Sequence, residues 1–105
     1  MSTKAMSPAR KFLASLRGGE PLSFGRMLES IRLADEISQV ELARQMKISR
    51  AHLCDLEKGR RLVSPDRAAR FAEVLGYSVN QFVSVAIEDQ LRKAGMRFKV
   101  PLEAA

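Results

Sequence analysis

The side chains able to do chemistry crowd into one short stretch of this 105-residue chain. Between positions 39 and 61 lie Gln39, Ser49, Arg50, His52, Cys54, Asp55, Glu57, Lys58, Arg60 and Arg61. The histidine and the cysteine are the only ones in the sequence. A single cysteine excludes an intramolecular disulfide, and one of each is too few for a structural zinc site. Glu57 resembles a catalytic carboxylate, but nothing nearby supplies a nucleophile or a metal. No set of acid, base and nucleophile can be assembled, so the chain is not expected to be an enzyme, and no cofactor is implied. What remains is binding chemistry, carried by guanidinium, amide and hydroxyl groups that form directed hydrogen bonds. Cys54 is expected to be a small, partly buried side chain rather than a redox switch.

Two short helices would position these groups. Ser38 and Glu41 have capping-box spacing: the serine takes an amide of the first turn and the glutamate reaches back. Ile37 and Leu42 flank the cap as a hydrophobic staple. The same syntax returns at Ile48, Ser49 and Leu53. Only Met46 to Ile48 are left for the turn. Helices so short and so close cannot bury full faces against each other. They must cross steeply and share a core, which is helix-turn-helix geometry. In the second helix Leu53 and Leu56 point inward, so Ser49, Arg50, Ala51 and Asp55 fall on or near the outward side.

The start signal recurs along the chain. An apolar residue, a serine and an apolar residue four positions on occur at Leu22-Ser23-Met27, Ile37-Ser38-Leu42, Ile48-Ser49-Leu53, Val63-Ser64-Ala68 and Tyr77-Ser78-Phe82. Pro65 suits a first helical position, and Gln81 completes a capping box. Gly59, Gly76 and Gly95 stand where helix ends want a positive φ. Helical spacing groups Phe24, Met27, Leu28 and Ile31, then Ala68, Phe71, Ala72 and Leu75. The fifth helix has a broad stripe of Val79, Phe82, Val83, Ala86, Ile87 and Leu91, with Val85 off it. One edge of that stripe is expected to close the core and the other to meet a second copy, core packing alone being the alternative. The chain therefore reads as all-α, a five-helix domain over residues 22–95.

Both ends extend beyond it. In residues 1–21, Pro8 can open a short extra helix running to about Arg17, with Phe12, Leu13 and Leu16 on one side and Gly18-Gly19 as its stop. In residues 96–105, Met96, Phe98 and Val100 alternate with Arg97 and Lys99, a strand pattern that Pro101 ends. Such a strand needs a partner, either its two-fold mate or another protein's sheet edge; the alternative is a plain tail.

Composition agrees with one modest, mostly aliphatic core: five Phe, one Tyr and no Trp. Net charge is +6 and the pI 10.1, a balance that favours nucleic acid or an acidic surface as partner, or serves solubility alone. No apolar run approaches the roughly 20 residues that span a bilayer, and the basic N-terminus lacks the apolar stretch of a signal peptide. A cytoplasmic protein with no membrane partner is expected.

The pattern SQ-x-x-LA-x-x-M-x-IS-x-x-x-L-x-x-LE-x-G closely resembles the helix-turn-helix of the XRE family, the lambda/434 repressor and Cro-like proteins. The resemblance covers about Phe24 to Phe82 and fixes Gln39, Leu42, Ala43, Ile48, Ser49, Leu53, Leu56, Glu57 and Gly59 in one register. One departure is Lys47, where the family usually has glycine; a lysine can adopt positive φ at a cost near 1 kcal/mol.

The resemblance implies a lambda-repressor-like domain whose second motif helix enters the DNA major groove. Arg50, Ala51 and Asp55 then occupy base-contacting positions. Arg50 could bond guanine O6 and N7, and Ala51 could pack on a thymine methyl. Asp55 could accept from cytosine N4 or orient Arg50. Ser49 borders this face, and Gln39 would hold a phosphate and brace the reading helix. Lys58, Arg60 and Arg61 would flank the backbone, contacts that set register and affinity but read no sequence. A solvated charge run is their other reading. His52 is either a phosphate contact or a plain surface histidine, and Glu57 is structural.

A homodimeric repressor on a palindromic operator in double-stranded DNA is the expected function. With extra segments at both ends, the chain is most similar to HigA-like antitoxins of type II toxin–antitoxin modules, which implies a small ribonuclease toxin as partner and repression of a shared operon. The alternatives are a stand-alone phage or mobile-element regulator and a protein-interaction module of the same fold.

Overall fold

In the computed structural model, which describes residues 23–96 and 100–101, the chain forms five helices: α1 (Phe24–Ala34), α2 (Gln39–Met46), α3 (Arg50–Glu57), α4 (Pro65–Leu75) and α5 (Val79–Lys93). Among the described residues there is no strand. The expected helix over 8–17 and the heart of the alternating segment, residues 97–99, lie outside them. No helix is long and apolar enough to cross a membrane among these residues.

Every helix begins as its sequence dictates. Ser23, Ser38, Ser49, Ser64 and Ser78 are extended N-caps, and each hydroxyl accepts the amide three residues on, at 3.0–3.3 Å. Those amides have no partner inside the helix, so each cap relieves a cost of about 1 kcal/mol. The reciprocal half of the Ser38 box does not form. Glu41 turns forward instead and accepts from Arg44 at 2.6 Å and Gln45 at 2.9 Å, because two donors one turn on compete with a single backbone amide.

The helices also end alike. A residue at positive φ donates its amide to a carbonyl three back, and the next residue donates to a carbonyl five back, the Schellman arrangement. Glycine fills the left-handed position at Gly59, Gly76 and Gly95, whereas Glu36 (φ 56°) and Lys47 (φ 62°) do so after α1 and α2. Lys47 thus adopts the turn geometry that its family-type position requires. Glu36 carries no sequence signal for that conformation.

The core gathers around Phe82, which meets Phe24 edge-on at 5.5 Å and stacks on Tyr77 at 5.8 Å. Met27, Leu28, Leu42, Leu53 and Ala68 are fully enclosed beside it; each larger side chain so buried contributes about 1.5–3 kcal/mol. α4 and α5 form the most extensive pairing. The stripe on α5 departs from expectation. Val85 is buried with Phe82 and Ala86, while Ile87 and Leu91 are only half-buried and outside the core cluster. Asp89 explains the rotation. Its carboxylate accepts the Phe24 amide at 2.9 Å, which fixes the line from Phe82 through Val85 and Ala86 to Asp89 as the face toward α1.

Ser84 is buried on the opposite side of α5, where its hydroxyl donates to the Val100 carbonyl, and Glu88 accepts the Val100 amide at 2.7 Å.

Candidate nucleic-acid interface

A reading helix works only if its orientation is fixed, and the fixing residues lie behind α3. Glu57, its last residue, has a side chain only 5% exposed. The carboxylate accepts two bonds from Arg32 of α1, at 2.9 and 3.0 Å, and a third from the Gln39 amide of α2 at 3.0 Å. One anion thus ties three helices together. The bidentate pairing holds the Arg32 pKa above its ordinary value, with the hydrogen bond to Glu57 outweighing the cost of burial. Gln39 therefore braces α3 through Glu57, and its amide has a second N–H for which no partner is found among the described residues.

Gly25 completes the support. It is buried in α1, and a Cβ there would sit 2.2 Å from the Leu56 carbonyl oxygen and 2.8 Å from that of Glu57. α1 thus lies backbone-on-backbone across the end of α3, close enough for Arg32 to reach Glu57.

With Leu53 and Leu56 buried, α3 presents Ser49, Arg50 and Ala51 to solvent, and His52, Cys54 and Asp55 half-buried at its flanks. The Ser49 oxygen accepts the His52 amide at 3.0 Å, which leaves its O–H to donate outward. Lys58, Arg60 and Arg61 follow on the exposed loop. Of the nine positions marked in the sequence, Gln39 stands at the start of α2, Ser49, Arg50, Ala51, His52 and Asp55 lie at the cap and along α3, and Lys58, Arg60 and Arg61 lie in the loop after it.

The structure redirects one of them. Asp55 does not orient Arg50. Arg50 precedes it by five residues, which places the two about 140° apart around the helix. The carboxylate instead takes Arg60 at 3.3 Å and lies 4.0 Å from Arg61. The His52 pKa is lowered, first by burial and then by the positive charges of Arg61 and Arg67, with Asp55 opposing. Arg67, exposed in the first turn of α4, thereby extends the cationic patch beyond the marked residues.

Sequence reasoning missed Arg32, Gly25, Arg67 and Asp89. Gly25 carried a usable signal, since a glycine inside a helical pattern often marks a close approach of backbones. Arg32 was findable in principle, because a glutamate at a motif position expected to be buried demands a cation. Nothing local distinguishes Arg67 or Asp89 from ordinary surface charge.

Residues 28–82, more than half of the chain, match the family model described as Helix-turn-helix. No curated protein and no solved structure matches the chain. The matched span contains the contacting α2–α3 pair, the serine-capped α3 with Arg50 and Ala51 exposed in its first turn, and the exposed loop that carries Lys58, Arg60 and Arg61. The chain belongs to the XRE-type helix-turn-helix family of DNA-binding transcription regulators.

Proposed function

We propose that this protein is a sequence-specific repressor that binds a palindromic operator as a homodimer. The observation that carries the reading is the exposed Ser49-Arg50-Ala51 edge at the start of α3, held in place from behind by the Glu57–Arg32–Gln39 network. Arg50 has the forked donors that match guanine O6 and N7, and Ala51 is small enough to accept a thymine methyl. Asp55 borders the same groove-facing edge. Gln39, Ser49, His52, Lys58, Arg60 and Arg61 surround it with donors for phosphate oxygens, and amides at a helix start favour an anion as well. Ile87 and Leu91, partly exposed outside the core, offer an apolar edge for a second copy.

Selection of binding sites from a random duplex pool at near-physiological salt tests this. The expected result is a palindrome with half-sites about 34 Å apart, one turn of DNA. Salt-sensitive binding with no enriched sequence would mean that the charge is generic, and the repressor reading would fall.

Within this function we place the protein as the antitoxin of a type II toxin–antitoxin module. The HigA-like resemblance and the segments on both sides of the domain support that placement, and a small ribonuclease toxin is the partner it requires. Co-expression with the neighbouring reading frame should yield a complex and rescue growth. Absence of both refutes the antitoxin role and leaves the DNA reading intact.

A further inference from the structure

One anion sits among the cations of the proposed DNA face. Asp55 lies near the end of α3 with its side chain 39% exposed; Arg60 donates to one of its oxygens at 3.3 Å, and Arg61 approaches the other at 4.0 Å. The backbone brings both arginines there. The Arg60 amide donates to the Asp55 carbonyl at 2.9 Å and the Gly59 amide to that of Leu56 at 3.2 Å, which folds the loop back over the helix end. Both arginine side chains are more than half exposed, so these pairs are loose and screened by solvent.

A carboxylate offers a guanidinium the same charge and acceptor geometry as a DNA phosphate. We infer that Asp55 is a positioning residue which holds Arg60 and Arg61 in the free protein and yields them to phosphates at a matched site, so that it discriminates against unmatched duplex. The inference rests on the DNA-binding reading above.

The physical reason lies in how the exchange is driven. On unmatched DNA no base contact fixes the register of α3. Phosphates must then compete with Asp55 for the arginines while its own charge repels them. At a matched site the base contacts seat α3 in the groove and bring phosphates into direct reach, so the exchange goes to completion. Asp55 therefore weakens the generic, charge-driven part of binding more than the sequence-specific part.

The test compares wild type, Asp55→Asn and Glu73→Gln on the selected site and on a scrambled duplex. Glu73 lies on the exposed last turn of α4 and controls for a loss of one negative charge at a distance. Over about 50–200 mM salt, Asp55→Asn should tighten the scrambled duplex roughly five- to tenfold and steepen its salt slope by about one. The selected site should tighten less than about twofold, so the specificity ratio falls. Glu73→Gln should leave both duplexes near wild type. In a background of Arg60→Gln and Arg61→Gln, Asp55→Asn should tighten the scrambled duplex less than about twofold, the remainder left by direct repulsion of phosphate.

Equal changes on both duplexes, an effect matched by Glu73→Gln, weaker binding by Asp55→Asn, or an effect that persists undiminished without the two arginines each overturns the inference. An altered preference at a single base pair also overturns it, because Asp55 would then be reading a base. If wild type binds its selected site and Asp55→Asn changes nothing, the inference alone fails. If wild type retains no duplex at low salt, the DNA reading fails and takes the inference with it.

Discussion

Where α1 crosses the end of α3 there is room for a hydrogen atom and nothing larger. Gly25→Ala would drive a methyl group into two backbone carbonyls, which cannot swing aside as a side chain can. The expected loss is about 2–3 kcal/mol, the upper range for overpacking, read as a lower midpoint in urea with an unchanged slope. An unchanged midpoint would mean that α1 can slide on α3, and the account of how Arg32 reaches Glu57 would then be wrong. On the opposite surface, Arg50→Ala should cost about 1–3 kcal/mol of binding and relax one base position, whereas Arg61→Ala should weaken the selected site and lower its salt slope by about one without relaxing any base position. Unchanged affinity and specificity in Arg50→Ala would remove the proposed reading edge. The two groups of residues differed in how far the sequence disclosed them. Arg50 and Arg61 stand at fixed offsets from a motif serine and glycine. The Arg32 and Asp89 contacts join residues 25 and 65 positions apart, and no local pattern encodes a pairing made by three-dimensional packing.

At the scale of the element, the five helices share one grammar of serine starts and left-handed stops. The starts were legible because a serine between two apolar residues at fixed spacing has few other uses. The stops were legible where the residue was glycine, and at Lys47 only through its place in the motif. Glu36 was not, since an acidic residue after α1 looks like any loop position. Lys47→Gly tests the cost of the departure: it should stabilise the fold by about 0.5–1 kcal/mol, as a residue without Cβ adopts φ 62° freely. DNA binding should survive the change. Destabilisation would show that the lysine side chain makes a favourable interaction that outweighs the strain. The stripe on α5 was misplaced because apolar residues nearly surround that helix, so periodicity alone could not tell which side faces α1. A partly buried carboxylate contact from Asp89 decided it.

For the whole molecule, the legible part was the fold; the hidden part was what fixes α3 against its neighbours, the contacts of Glu57 with Arg32 and Gln39. Seen together, the two show a division of labour. Exposed residues of α3 and its loop carry the proposed DNA chemistry, and the enclosed Glu57 carboxylate with the Gly25 crossing fixes the helix that bears them. Within the net charge of +6, Arg50, Lys58, Arg60 and Arg61 are exposed on α3 and the loop after it, so their placement matters to the proposed interface more than the total does.

Because each helix carries its own start and stop within a few residues of chain, little of the fold waits on distant parts of the sequence to define it. Helices delimited in this way can form their ends before the core closes, and loop-closure entropy is incurred only when formed segments dock. Helical domains rich in local contacts fold in microseconds to milliseconds, and this domain should do the same. Temperature-jump or stopped-flow relaxation should give a single exponential and a chevron with straight arms. Refolding in seconds would show that the long-range Arg32–Glu57 and Asp89–Phe24 contacts, not the helix ends, limit the search. For a regulator, fast refolding shortens the time in which an opened chain exposes its core to proteases. The same serine caps and left-handed stops that set the architecture would then govern how long each molecule persists in the cell.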